Sequence, residues 1–358
     1  MLVLSCSTSE LTLSDIPVED SQSKIYFRNG LTPGDGGEYA ARTIWNSETM
    51  PMSALQANGT TVWLEPLGSI EPSISFDGRY LVLPLQGTNG RISNSLAGEK
   101  AFHIYDLTKK NYVAGEWITT ISCTVEGTAY SVPWSLIGHS FYTDSNGTIL
   151  KCLPEGKQLP LSRIENLTHF SVSPSERWLL YAQTDRVGLL NLDSGAVVRV
   201  KEFENVLGIG FEHCLRSVAW SPDERRVAYS EGHRIMIFDL DANENIGHKV
   251  GSDVFALEWL SNDELIFIEG YQPNPGAVLK VEPYFSIYSF SVSMKEDRLL
   301  HRRENHEPVS VKPQRSPSGK FLLFSEKGFN EGYKIKLMTA DGTGMITVCN
   351  GYNPVWGR

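Results

Sequence analysis

Apolar runs of strand length recur along this chain, and each follows a short polar turn. Four copies are clear. They are Ile74-Ser75-Phe76-Asp77-Gly78-Arg79-Tyr80-Leu81-Val82-Leu83 and Val172-Ser173-Pro174-Ser175-Glu176-Arg177-Trp178-Leu179-Leu180-Tyr181. Next come Trp220-Ser221-Pro222-Asp223-Glu224-Arg225-Arg226-Val227-Ala228-Tyr229 and Arg315-Ser316-Pro317-Ser318-Gly319-Lys320-Phe321-Leu322-Leu323-Phe324. Looser copies start at Trp134 and Trp259, and a half-copy, Pro354-Val355-Trp356-Gly357, lies at the C-terminal end. Pro sets φ for the first turn position, Asp or Ser bonds back to the backbone, and Gly accepts positive φ. The runs that follow are rich in Leu, Val, Tyr and Phe and are short, as in a buried strand.

Further along each copy a third strand is expected, at Phe102–Leu107, Ile235–Leu240 and Tyr333–Met338. A weaker fourth follows, at Ala196–Arg199 and Met345–Val348. Four strands per repeat make one propeller blade. The Ser-Pro-Asp-Gly type of turn with its following strand resembles the TolB-type propeller repeats, relatives of the WD-repeat propellers, over residues 70–358. The resemblance implies an all-β propeller and leaves function open.

The residue before each turn is Ile74, Trp134, Val172, Trp220, Trp259, Arg315 and Trp356, at intervals of about 40–60 residues. The last has no room for a blade of its own. Its partners are expected at Ile25–Phe27, Thr43–Trp45 and Val62–Leu64, so the C-terminal strand would close a blade begun at the other end. Closure removes an open edge. The expectation is seven four-stranded blades: a tether over 1–23 and one propeller domain over 24–358.

Period-two alternation then sorts the innermost strand of each blade. The anchor and the residue two before it are mostly apolar and face neighbouring blades. The positions between are small or polar and face a central channel. The candidate channel lining is Glu71, Ser131, His169, Ser217, Glu258, Lys312, Gln314 and Asn353. Arg315 departs from the apolar anchor pattern and is expected to run its stem along the surface to water. The stretches from Gln86 to Lys100 and from Glu269 to Val281 are candidate binding loops.

Composition narrows the function. There are 32 Lys+Arg against 42 Asp+Glu, a formal net charge of −10. Such a surface repels phosphate backbones, so no nucleic-acid partner is expected. No apolar stretch is long enough for a transmembrane helix. The start, Met1-Leu2-Val3-Leu4-Ser5-Cys6, resembles the end of a bacterial lipoprotein signal, with Cys6 as the lipidation candidate. Its apolar core is shorter than the roughly 7–15 residues of a secretory signal. Two readings stay open: a precursor starting upstream of Met1, which implies a periplasmic or outer-membrane-associated lipoprotein, or a chance match in a cytoplasmic protein. The membrane would be touched only through that anchor. The remaining cysteines, Cys123, Cys152, Cys214 and Cys349, form no Cys-x-x-Cys pair and read as buried thiols, with disulfides the alternative in an oxidising compartment.

Catalytic motifs are thin. Gly138-His139-Ser140-Phe141-Tyr142 lacks the second Gly of an esterase elbow. The charged segment His301-Arg302-Arg303-Glu304-Asn305-His306, read as a loop, fixes no metal geometry. Gly34-Asp35-Gly36-Gly37 precedes no helix and reads as a blade turn. No catalytic residue, metal or cofactor is assigned. The expected function is a monomeric, non-enzymatic platform for a protein or peptide, bound through one propeller face. The alternative is a glycan lyase or hydrolase, or a peptidase-like enzyme, with its site at the channel mouth.

Overall fold

A computed structural model describes 9–11, 15–17, 19–20, 24–29, 38–43 and most of 141–356, with shorter stretches between 50 and 121. Among the described residues, seven sheets of three or more strands follow one another, numbered here first to seventh. The fourth to sixth are plain four-stranded antiparallel meanders. The fourth runs Leu167–Val172, Trp178–Gln183, Arg186–Asn191, Val197–Glu202. The fifth runs Val218–Trp220, Arg226–Ser230, Arg234–Asp239, Glu244–Lys249. The sixth runs Asp253–Trp259, Glu264–Tyr271, Tyr284–Ser291, Glu296–Glu304. The third has Phe141–Ser145, Thr148–Cys152 and Gln158–Arg163; the second is built on Tyr80–Gln86 and Glu99–Asp106.

The seventh and first sheets meet where the chain ends. Phe321–Gly328, Tyr333–Thr339 and Gly344–Asn350 form the body of the seventh. In the first, Tyr352–Trp356 pairs antiparallel with Lys24–Asn29, which pairs with Glu38–Thr43. The C-terminal strand therefore does complete a sheet begun near the N-terminus. Of the strand expected at Thr43–Trp45, Thr43 belongs to the strand Glu38–Thr43, and 44–45 lie outside the described residues. Val62–Leu64, the copy at Trp134 and the Gly34–Gly37 turn lie outside the described residues.

The repeat register is confirmed by pairing. Each described anchor stands opposite the second residue of the next strand: Ile74 with Leu81, Val172 with Leu179, Trp220 with Val227, Trp259 with Leu265, Arg315 with Leu322 and Trp356 with Ile25. The Ser after the anchor explains the motif. Ser75, Ser173, Ser221 and Ser316 are buried. Each donates its N–H to the carbonyl five residues on and accepts that residue's N–H on Oγ, at 2.8–3.2 Å. The turn position with positive φ is Gly319 (75°) in the seventh sheet but Glu176 (60°) and Glu224 (58°) in the fourth and fifth.

Apolar cores lie between consecutive sheets. Ala219, Ile235 and Ile237 of the fifth pack on Leu257, Trp259, Leu265 and Phe267 of the sixth. Similar clusters join the third to the fourth, the fourth to the fifth, the sixth to the seventh, and the seventh to the first. Burying such side chains contributes about 1.5–3 kcal/mol each. Ile149 and Cys152 are fully buried in the third sheet. Cys152 is a free thiol, and burial pushes its pKa up to about 12. Within the segment expected as a tether, Ser9–Glu10 pairs parallel with Gly344–Met345, and Ile16 and Asp20 are buried. These residues belong to the folded body. Cys6 lies outside the described residues.

Candidate functional site

In each repeat the second strand runs antiparallel to the first and third, so the ring has two unlike ends. At one end lie the turns from first to second strand and from third to fourth. They are short: 173–177, 221–225 and 260–263, and 192–196, 240–243 and 292–295. Their polar groups are used internally. Asn191 Oδ1 accepts from the N–H groups of Asp193 and Ser194 at 3.1 and 2.8 Å, and Asp239 Oδ1 from Asp241 and Ala242 at 3.1 and 3.0 Å. Asp263 accepts from Ser291 and Ser293 at 2.8–2.9 Å. The Asn191 and Asp239 contacts are Asx bonds that satisfy turn backbone locally, and the Asp263 bonds tie the two turns of the sixth sheet together.

The opposite end carries the hairpins from second to third strand and the passages from one sheet to the next. Residues 87–98, 203–217 and 272–283 lie between flanking strands there. The candidate loops at Gln86–Lys100 and Glu269–Val281 are thus both at this end. Strand pairing extends into their margins, to Gln86 and Glu99 and to Tyr271 and Tyr284. The residues between lie outside those described.

A recurring carboxylate marks this end. Glu231, Glu269 and Glu326 sit at the same distance from the starts of their second strands, Arg226, Glu264 and Phe321. Glu231 and Glu326 reach the preceding sheet, and Glu269 reaches the connection that leads from it. Glu231 pairs with Lys201. Glu269 accepts from Gly251 N at 2.9 Å and Ser252 N at 3.3 Å. Glu326 faces Lys336 Nζ at 3.0 Å, and His301 and Arg303 of the sixth sheet at 3.6 and 3.5 Å. Burial alone would raise the Glu326 pKa, but contact with His301 and Lys336 and the charge of Arg303 hold it near 2. Lys336 also donates to Thr347 Oγ1 at 2.8 Å.

The segment 301–304 was expected as a loop and is instead part of the edge strand Glu296–Glu304, with His301 buried. An edge strand tolerates alternating charge because one side faces water. His306 pairs through its backbone with Gly328. Among the described residues no group of three or more His, Cys, Asp or Glu side chains is disposed to hold a metal ion.

Of the channel candidates, Glu71, Ser131 and Lys312 lie outside the described residues, as does Ser140. His169 and Asn353 lie on the strands Leu167–Val172 and Tyr352–Trp356. Glu258 and Gln314 are half-buried, opposite Ile266 and Leu323. Ser217 is buried: its N–H donates to Ser230 Oγ, and its Oγ accepts from Leu257 N, both at 3.0 Å. It ties the fifth sheet to the sixth. Of the eight, Ser217 is thus committed to a bond between sheets, and Glu258 and Gln314 stand half-buried on their strands. Arg315 is exposed, and its guanidinium folds over Gly319.

Sequence reasoning missed the glutamates at the ends of the second strands. Their signal is a carboxylate at a fixed offset closing an apolar run. It also missed the tryptophan links. Trp220 Nε1 donates to Ser171 O at 3.3 Å and Trp259 Nε1 to Ala219 O at 3.1 Å, each the carbonyl one residue before the preceding anchor.

No family model and no curated protein matches the chain. Solved structures do. A candidate 6-phosphogluconolactonase of Bacteroides uniformis superposes with a TM-score of 0.58 at 11% identity, covering 94% of this chain and 99% of that one. The Swd1 β-propeller domain of Myceliophteria thermophila gives 0.52 at 13%, over 78% and 85%. A chain of the mitotic checkpoint complex gives 0.53 at 16%, over 83% of each. At such identities the likeness concerns architecture alone. With the meander sheets, the cores between them and the joined ends, it establishes that this chain folds as a β-propeller.

Proposed function

We propose that the chain is a TolB-type propeller that binds a protein or peptide partner through the end carrying the strand-two hairpins and the passages between sheets. It does so without catalysis. The observation that supports this reading is the contrast between the two ends. One is closed by short turns whose polar groups bond within a turn or to a neighbouring turn. The other carries, besides short connections at 184–185 and 231–233, the longer ones at 87–98, 203–217 and 272–283. Rigid scaffolds that display longer connections suit recognition. The Glu231, Glu269 and Glu326 contacts brace the sheets beneath them. Lipidation at Cys6 would hold this platform at the cell envelope, periplasmic or against the outer membrane.

Site-directed photo-crosslinking in the native cell tests the reading. A crosslinker at Asn89, Val206 or Asn274 should capture one defined partner, whereas the same group at Asp193, Ala242 or Met294 should not. Adducts confined to the second set would place the partner on the wrong face and overturn the proposal. Intact-mass measurement of the isolated protein decides the anchor. A diacylated Cys6 supports it, and an unmodified chain starting at Met1 removes it.

A further inference from the structure

The turn between first and second strands also reaches backward, to the equivalent turn of the preceding sheet. Ser175 donates its N–H and hydroxyl to the Glu224 carboxylate. Asp223 N donates to Asn262 Oδ1 at 3.0 Å. Both acceptors lie two residues before the following second strand, which begins at Arg226 or Glu264. The first sheet has no continuous turn from which to offer such a residue. Its inner strand ends at Trp356 and its second strand begins at Lys24, although Trp356 stands opposite Ile25 as Trp220 stands opposite Val227.

At this interruption the acceptor is Asp20. Ser318, the counterpart of Ser175 and Asp223, donates its N–H to Asp20 Oδ1 at 3.0 Å and its hydroxyl to Oδ2. Asp20 is fully buried. Two more contacts bring the same segment across. Ile16 packs into the core formed by Ile25, Phe27 and Trp356 of the first sheet and Phe321, Leu323, Ile335 and Leu337 of the seventh, and Leu11 packs against that core. Ser9–Glu10 lies along the outer strand of the seventh sheet.

We propose that 9–11, 15–17 and 19–20 belong to a clasp across the covalent break in the ring, with Asp20 replacing the turn residue that the break removes. Release of this clasp is the first opening of the native protein. It frees the outer edge of Gly344–Asn350 and loosens the Tyr352–Trp356 pairing before any continuous sheet yields. A buried carboxylate that takes two hydrogen bonds is costly to lose, and low-stability elements open first.

Native-state hydrogen exchange on the full chain tests the clasp. In the wild type, amides of Ile25–Phe27 and Val355–Trp356 should exchange faster than those of Val227–Tyr229. Asp20→Ala should speed the seam amides about tenfold or more while Val227–Tyr229 stay within about twofold. Asp20→Asn keeps the acceptor that Asn262 offers at the equivalent turn and should stay close to wild type. Equal acceleration in every sheet, or Asp20→Asn as damaging as Asp20→Ala, would overturn the proposal. Should Asp20→Ala not fold, the wild-type order decides: seam amides as slow as those of the fifth sheet would refute it.

Discussion

The junction between the fifth and sixth sheets and the seam between the seventh and first use equivalent residues and close differently. At the first, Trp259 is buried and its Nε1 donates to Ala219 O, while Asn262 caps the N–H of Asp223. At the seam, Trp356 is just as buried, but its Nε1 makes no hydrogen bond among the described residues. The cap there comes from Asp20, far away along the chain. The covalent turn delivers the continuous junction its acceptor at little entropic cost. The seam must order a separate segment to obtain the same bond, and it forgoes the indole bond. Apolar burial is similar in kind at both, so the difference lies in polar completion and chain entropy.

The largest effect that would sharpen this contrast is loss of closure. Deleting 352–358 removes the inner strand of the first sheet and should abolish cooperative unfolding and promote aggregation, read by calorimetry and light scattering. A monomer with unchanged melting would show that this strand does not hold the ring. Next, Trp259→Ala should cost about 3–5 kcal/mol in chemical denaturation. Trp220→Ala should cost less, because Trp220 is only half-buried. A Trp259→Ala loss below about 1 kcal/mol would break the assigned packing.

Acid offers a third test, at the junction between sixth and seventh sheets. The Glu326 carboxyl is held near 2, below its ordinary 4.5, so its ionised form stabilises the folded state. That contribution is complete above pH 4.5 and is lost as pH falls toward 2. A shift of this size corresponds to about 3 kcal/mol at most. Glu326→Gln should flatten the fall of stability over that window, and an acid limb identical to wild type would show that Glu326 is not its source. The smallest effect discriminates best. Trp356→Phe should cost under about 1 kcal/mol, since it removes an unpaired N–H, whereas Trp259→Phe should cost about 1–2 kcal/mol more because it breaks a bond. Equal costs would dissolve the contrast.

Much of the architecture was legible because its causes are local. The Ser after the anchor bonds within five residues, so the turn, the following strand and the pairing register could be read together. Even the closing strand at Trp356 was readable, since it repeats the anchor without its sequel. The site was less legible. Ser217 carries the polarity expected of a channel residue, yet its hydroxyl is committed to Leu257 N in the next sheet. Period two assigns a face and does not reveal a bond across sheets. Asp20 looked like part of a polar leader because its partner, Ser318, lies at the opposite end of the sequence. His301 and Arg303 read as loop because their charges hid a strand whose edge faces water.

The left-handed position of the turn carries a consequence for how such rings diversify. Glycine there, as at Gly319, is free of steric cost, but it has no side chain with which to touch the turn before it. Glutamate at 176 and 224 gives up about 1 kcal/mol of backbone ease. In return it places a carboxylate on the previous sheet, on Lys151 in one case and Ser175 in the other. Each turn thus chooses between folding easily by itself and gripping its neighbour. A single codon at this position sets how strongly a blade depends on the blade before it, and a drift toward glycine would yield a ring of more independent parts.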